Sequence, residues 1–285
     1  MTRILLLGAS GMLGSTLFRY LSGVADVRVI GTIRAQGLPT GCRPEFGHNI
    51  VSSFNALDHD SLTQLLLDVK PDLLINCIGV IKQRPEARDV LHTIPLNTLL
   101  PHRLAQLVQL LGIRLVHFST DCVFSGAKGL YTESDPPDAQ DLYGQSKKLG
   151  EVTSPGCLTI RTSIIGHELN SQRSLLNWFL AQKGPISGYA RAIFSGLPTI
   201  EVAHVMHEHI IPNERLSGLF HLSAEPISKL ELLRKVASVY GKDVAILPSQ
   251  DVVIDRSLDS KLFREHTGYK PPDWDTLLKK MHNYG

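Results

Sequence analysis

An excess of charge of either sign is nearly absent from this chain: 29 Lys and Arg stand against 27 Asp and Glu, a formal net charge of +2. A nucleic-acid partner is met by a basic face, and this balance offers no electrostatic case for one. A local pocket for a small anion is untouched by that argument. Cysteine is sparse and scattered. Cys42, Cys77, Cys122 and Cys157 form no Cys-x-x-Cys and have no nearby His at zinc-ligand spacing. The pattern argues against a disulfide framework and against a metal, and for buried reduced thiols in a cytoplasmic protein. No apolar run reaches the ~18 residues of a membrane span. The run Ile4-Leu5-Leu6-Leu7 breaks at Gly8 rather than at a cleavage site, and is too short for a signal segment. No internal repeat of about 20–50 residues is visible, so a solenoid or propeller is not indicated.

What is present is apolar residues arranged in alternation. At 285 residues and 43% hydrophobic content the chain can bury a large core. Short apolar runs at Arg3–Leu7, Val27–Gly31, Leu73–Cys77, Leu115–Ser119 and Leu158–Arg161 read as strands. Amphipathic stretches between them read as helices at Met12–Leu21, Ser61–Val69 after an N-cap at Asp58, Asn97–Leu111 ending at Gly112, and Leu142–Val152. Strands joined by crossover helices predict an α/β fold, a Rossmann-type doubly wound parallel sheet covered on both faces. The alternation breaks after Gly166. Ser174–Gln182 reads as a helix, 185–198 as loops around a short strand at Ala192–Phe194, and Ser228-Lys229-Leu230-Glu231 as a capping box opening a helix to Tyr240. One more short helix is expected between Pro271 and Gly285. The division expected is residues 1–165 as the doubly wound domain and 166–285 as a smaller region with some segments returning to the first.

Three constellations carry chemistry. Gly8-Ala9-Ser10-Gly11-Met12-Leu13-Gly14 follows a strand and opens a helix, the setting in which glycines give a tight turn and bring bare backbone to a pyrophosphate. The second strand ends Ile30-Gly31-Thr32-Ile33-Arg34 with no carboxylate for a ribose hydroxyl, while Arg34 suits a 2′-phosphate, so NADPH is expected over NADH. Ser119-Thr120-Asp121 stands at a strand's carboxyl end, where open parallel sheets bind ligands, and Tyr143 and Lys147 lie four residues apart on one helix face. A hydroxyl, a phenol and an ammonium so placed suit hydride transfer to a carbonyl. Thr120 would hold the carbonyl oxygen, Tyr143 would give it a proton, and Lys147 would bind the nicotinamide ribose and draw the phenol's pKa down.

These residues resemble the extended short-chain dehydrogenase/reductases, and among them the dTDP-4-dehydrorhamnose reductase family. The resemblance rests on the glycine loop, Ser119-Thr120-Asp121-x-Val123-Phe124-x-Gly126, Glu133-Ser134-Asp135, Tyr143-Gly144-x-Ser146-Lys147-x-x-Gly150-Glu151, and Arg161-Thr162-Ser163 ahead of Gly166. It implies Thr120, Tyr143 and Lys147 as the catalytic set. It also implies cofactor contacts from Gly8, Ser10, Gly11, Met12 and Leu13, from Asn55 and Ala56, from Cys77, Ile78 and Gly79, and from Ser163. The related dehydratases carry an Asp-Glu pair after the catalytic Thr, whereas Asp121 is followed here by Cys122, which favours a reductase. Val80-Ile81-Lys82-Gln83 and Arg256–Ser260 depart from the rhamnose enzymes' sugar-facing segments, so dTDP- and UDP-linked 4-keto-6-deoxy sugars both stand as substrates. The expectation is an NADPH-dependent cytoplasmic enzyme of surface-polysaccharide precursor synthesis. Its partners are a nucleotide sugar and at most a second copy of the chain as a homodimer, with no nucleic acid and no membrane. An NAD-dependent epimerase and a non-catalytic NADP-binding regulatory subunit are the alternatives. Arg256 is a candidate for a diphosphate and Trp178-Phe179 for the floor under a base, while His204, His207, Glu208 and His209 read as a solvated helix face.

Overall fold

The computed structural model describes residues 1–37, 44–82, 85–169 and 174–285; Cys42 and Gln83 lie outside them. The backbone begins with β1 (Thr2–Leu7), α1 (Met12–Leu21), β2 (Val27–Thr32), β3 (Ile50–Val51), α2 (His59–Val69) and β4 (Leu73–Asn76). It continues with α3 (Val90–Ile94), α4 (Leu100–Leu111), β5 (Arg114–Thr120), α5 (Leu142–Leu149) and β6 (Cys157–Thr162). These six strands and β11 (Gly218–His221) form one parallel sheet in the order β11-β6-β5-β4-β1-β2-β3. The sequence explains the double winding. In β1, Ile4 and Leu6 enter one core while Leu5 and Leu7 enter the other, so an unbroken apolar run needs helices on both faces. The chain runs outward from β1 to β3 and then resumes at β4 on the opposite side of β1. The loops after β1 and β4 therefore leave the sheet in opposite directions, and that switch in strand order is where open parallel sheets bind ligands, at the strands' carboxyl ends.

Helix boundaries follow their chemistry. α2 starts two residues ahead of the expected Ser61, since the Asp58 carboxylate caps it by accepting from the Ser61 amide at 3.2 Å. The helix expected from Asn97 is instead broken into α3, a π-turn over Pro95–Leu99, and α4. Proline is the reason. Pro101 has no N–H to give the Asn97 carbonyl, so that i→i+4 bond cannot form.

Beyond β6 the chain builds β7 (Ile164–Ile165), α6 (Leu175–Ala181), β8 (Ile186–Tyr189), β9 (Ala192–Phe194), β10 (Leu197–Pro198) and α7 (Thr199–Val205). After β11 come β12 (Ile227–Ser228), α8 (Lys229–Tyr240), β13 (Ile246–Ser249), β14 (Ile254–Asp255), α9 (Lys261–Thr267) and α10 (Trp274–Tyr284). The stretch 185–198 thus holds three short strands where the sequence suggested one. Gly188 reads as a breaker, yet it lies within β8 because a Cβ there would meet Leu230 Cδ1 at 2.5 Å; the glycine lets β8 press on α8. Residues 199–205 and 274–284 pack beside α1 on the larger core, where buried Glu201 accepts from Tyr269 at 3.1 Å and from Lys280 at 2.9 Å.

Candidate active site

The glycine loop is shaped by backbone contact. Gly8 has φ +87, and a Cβ on Gly14 would lie 2.1 Å from the Gly8 carbonyl oxygen, so neither position accepts a side chain. Gly11 is the N-cap of α1 and offers no side-chain cap, leaving the helix's first amides without that partner. Ser10 and Gly11 are exposed and Met12 is half-buried, while Leu13 is anchored in the core. Unfilled amides at a helix start suit an anion, and these residues fit a dinucleotide's pyrophosphate. Arg34, two residues past β2, is exposed. Asn55 is exposed and orders its own turn by accepting from the Leu57 amide at 3.1 Å, and Ala56 beside it is buried.

Thr120 closes β5, and Tyr143 and Lys147 project from α5, whose N-cap Asp141 accepts from the Gly144 amide at 3.0 Å. Gly144 lets this helix approach, for a Cβ would sit 2.4 Å from the Cys122 carbonyl oxygen. The Thr120 hydroxyl is close enough to the Tyr143 phenol to draw its pKa down. Thr120 already has two partners: it donates to Asp121 Oδ1 at 3.0 Å and accepts from the Cys122 amide at 3.1 Å, capping the turn 121–123. Its hydroxyl therefore has a structural duty beside any contact with substrate.

Lys147 is 5% exposed, and its Nζ donates to the Phe118 carbonyl at 2.7 Å. Burial lowers its pKa to about 8, against the pull of Glu151 and Cys77. Tyr143 moves the opposite way from the sequence expectation. Burial raises its pKa first, and the nearby Cys122, Asp121 and Asp141 raise it further, while Thr120 opposes them. A phenol in this state keeps its proton through neutral pH and is ready as an acid.

A rim of charge surrounds the pair. Lys82 forms an ion pair with Asp141 at 2.8 Å, and Arg256 donates from Nε to the Phe124 carbonyl at 2.7 Å. Arg256 Nη1 is 4.0 Å from Cys122 Sγ, and its charge acts on Asp121, Asp138 and Asp141. Burial pushes the Cys122 thiol up to about 12 and raises Cys77 as well. Both are only half-buried, so the expectation of buried thiols is met at Cys157 and not at Cys77 or Cys122.

Asn97 escaped sequence reasoning, as did the way Gly79, Ser146, Gly150, Glu151 and Arg161 brace this site. Asn97, fully buried in the π-turn, accepts from the Val80 amide at 2.8 Å and donates to Ser146 at 3.1 Å, fastening the segment after β4 to α5. Gly79 lies between them, its missing Cβ 3.2 Å from Asn97 Oδ1 and 3.9 Å from Lys147 Nζ. The π-turn exposes the Asn97 carbonyl where Gly150 crosses it; a Cβ there would come to 1.9 Å. The two prolines flanking Asn97 inside a helical pattern were the available signal. Beneath α5, Glu151 takes both Arg161 Nε and Nη2 at 2.7 Å and the Ser119 hydroxyl at 2.7 Å. Arg161 stacks over Phe124, 5.2 Å from its centroid, and donates to His221 Nε2 at 3.3 Å. His221 Nδ1 must donate to the Tyr131 carbonyl, 3.0 Å away, so the ring is neutral, and burial holds its pKa down to about 4.

The structure thus brings Gly8 to Leu13, Cys77 to Gly79, Thr120, Tyr143 and Lys147 to the carboxyl edge of the sheet, with Ser163 half-buried just past β6. Trp178 and Phe179 part company: Phe179 is core and Trp178 is 38% exposed. Among the described residues, His204, His207, Glu208 and His209 form no metal-binding group. No helix among those residues is long and apolar enough to cross a membrane.

Residues 1–284 match the family model described as the RmlD substrate binding domain. The chain belongs to this family. Within it, the chain is 25% identical over 312 aligned positions to dTDP-4-dehydrorhamnose reductase of Aggregatibacter actinomycetemcomitans, covering 100% of this chain and 99% of that one. It is 28% identical to methionine adenosyltransferase 2 subunit beta of Danio rerio, covering 88% and 76% of the two chains. The crystal structure of dTDP-4-dehydrorhamnose reductase from Bacillus anthracis in complex with NADP superposes with a TM-score of 0.78 at 20% identity, covering all of both chains. An RmlD-family chain is therefore similar both to a reductase and to a subunit of another enzyme, and the site must separate them.

Proposed function

We propose that this RmlD-family protein is an NADPH-dependent reductase of the 4-keto group of a dTDP- or UDP-linked 6-deoxy sugar. The observation that carries the reading is the convergence of Thr120, Tyr143 and Lys147 at the carboxyl edge of the sheet that also carries the glycine loop. A purely regulatory subunit has no use for a half-buried phenol held in its acid form beside a buried ammonium. Gly8, Ser10, Gly11, Met12 and Leu13 would hold the pyrophosphate. Asn55 and Ala56 would face the adenosine end, and Cys77, Ile78, Gly79, Lys147 and Ser163 the nicotinamide end. When bound, the cofactor supplies a hydride to the carbonyl carbon. Tyr143 releases its proton to the carbonyl oxygen, and Thr120 orients that oxygen beside the phenol. The cations Arg256 and Lys82 at the rim suit a diphosphate, and residues 166–285 supply most of the surface that selects the sugar.

The test is isotopic. NADPH deuterated at the transferable position should place one deuterium on carbon 4 of the product sugar, with one cofactor oxidised per sugar. An epimerase would return its hydride and oxidise none on balance.

Two further outcomes follow for the cofactor. Arg34→Ala is expected to weaken NADPH binding by about 1.5–3 kcal/mol in calorimetric titration and to leave NADH nearly unchanged, because the lost contact is charge-assisted and specific to the 2′-phosphate. Equal losses for both cofactors would remove that assignment. NADPH affinity should also fall on the alkaline side. Lys147 loses its ammonium as pH rises through about 8. At one pH unit above that value roughly a tenth remains charged, so binding that requires the ammonium weakens about tenfold. A flat affinity profile across that range would contradict the ribose role of Lys147.

A further inference from the structure

His117 sits within β5 with no exposed surface, paired in register with Asn76 at the end of β4. The hydrogen bonds around them fix the imidazole's state. The Ile78 amide donates to Asn76 Oδ1 at 3.0 Å, so the carboxamide oxygen faces the turn that leaves the strand. Asn76 Nδ2 then faces His117 Nδ1 at 3.1 Å. An NH2 group can only donate, so Nδ1 accepts and the neutral ring carries its proton on Nε2. That Nε2 is buried and has no hydrogen-bond partner among the described residues. An imidazolium would set a second N–H against the Asn76 amide. Burial disfavours it first, and the charged groups that bear on the ring, Lys147 from α5 and His102 from α4, disfavour it too. Lys147 also bonds the carbonyl of Phe118, the next residue along the strand.

A buried donor without a partner costs stability, and an aliphatic side chain would fill the same space without that penalty. What an aliphatic residue cannot supply is an acceptor for Asn76. We propose that His117 is a positioning residue for the cofactor: as one fixed neutral tautomer it clamps Asn76, and Asn76 holds the Cys77–Ile78–Gly79 turn in its cofactor-facing shape. This rests on the cofactor reading given above. The same turn borders Lys147, since a Cβ on Gly79 would be 3.9 Å from its Nζ. The clamp therefore serves the nicotinamide end of the site rather than the phosphate loop.

The test uses the full chain and two independent readouts. Long-range proton–nitrogen correlation spectra of histidine-labelled protein, without cofactor, should show His117 neutral and protonated on Nε2 throughout pH 6–8. Calorimetric titration should show NADPH affinity about tenfold weaker in His117→Leu, the size expected for one lost hydrogen bond. In His117→Asn the side-chain oxygen replaces Nδ1 as acceptor, so affinity should return to within about threefold of wild type. With NADPH saturating, kcat should stay within about twofold in both. An Nδ1-protonated ring or an imidazolium in that pH range overturns the clamp, as does a folded His117→Leu protein that binds NADPH like wild type. If His117→Leu does not fold, the tautomer and His117→Asn still decide, and weak binding by a well-folded His117→Asn counts against the proposal. Wild-type protein that binds neither NADPH nor NADH would instead sink the cofactor reading, and the spectra would still report on the Asn76 contact.

Discussion

Tyr143→Phe is expected to lower kcat by roughly 10²–10⁴-fold, about 3–5 kcal/mol of barrier, while folding and NADPH affinity stay near wild type. Only the hydroxyl is removed; the ring keeps its place on α5 between Asp141 and Lys147. The acid assignment is strengthened by the raised pKa of the phenol, which keeps the proton available at neutral pH instead of spending it on a phenolate. Any loss of rate in mildly alkaline solution should therefore track Lys147, whose pKa is about 8, and not Tyr143. Thr120→Ser is the matching control. It keeps the hydroxyl that caps the turn 121–123, whereas Thr120→Val would remove the cap together with the substrate contact. A Tyr143→Phe enzyme that turns over at the wild-type rate would mean that the proton comes from elsewhere.

The second large effect concerns Glu151. Glu151→Leu should destabilise the fold by about 3–5 kcal/mol in urea unfolding, because it strands the Arg161 guanidinium at 3% exposure without its bidentate partner. The double change Glu151→Leu with Arg161→Met should recover most of that loss, since burying neither charge is cheaper than burying one. Glu151 also raises the pKa of Lys147, so its removal should move the alkaline decline in NADPH affinity to lower pH. A single variant as stable as wild type, with the decline unmoved, would show that this ion pair supports neither the fold nor the ammonium.

The first half of the fold was legible because its signals are local. Apolar strands, the caps at Asp58 and Gly112 and the glycine loop each act within a few residues, and the observed strands differ from the expected ones by one residue at most ends. What escaped were features made by distant contact. Nothing beside Asn97 in the sequence announces that Gly79 and Gly150 press on it from two other segments. Nor does anything near His117 show that Asn76, 41 residues earlier, donates to it. The raised pKa of Tyr143 escaped for the same reason. The i,i+4 spacing placed Lys147 on its helix face, but burial and the neighbouring Cys122 and Asp121 outweigh that spacing. In the second half, glycines such as Gly188 and Gly196 looked like loop residues and are instead points of close packing, 2.5 Å from Leu230 and 2.3 Å from the Ser163 carbonyl had they carried a Cβ.

The separation of enzyme from regulatory subunit rests on turnover. NADPH oxidation by the wild-type chain, followed across a panel of 4-keto-6-deoxy sugars linked to dTDP and to UDP, tests it most directly. Sustained oxidation is expected with at least one of them, one NADPH for each sugar reduced, falling roughly 10²–10⁴-fold in Tyr143→Phe. A chain that binds NADPH tightly by calorimetry and oxidises it with none of the panel would contradict the reductase reading and favour a subunit that uses the same fold to bind and not to reduce.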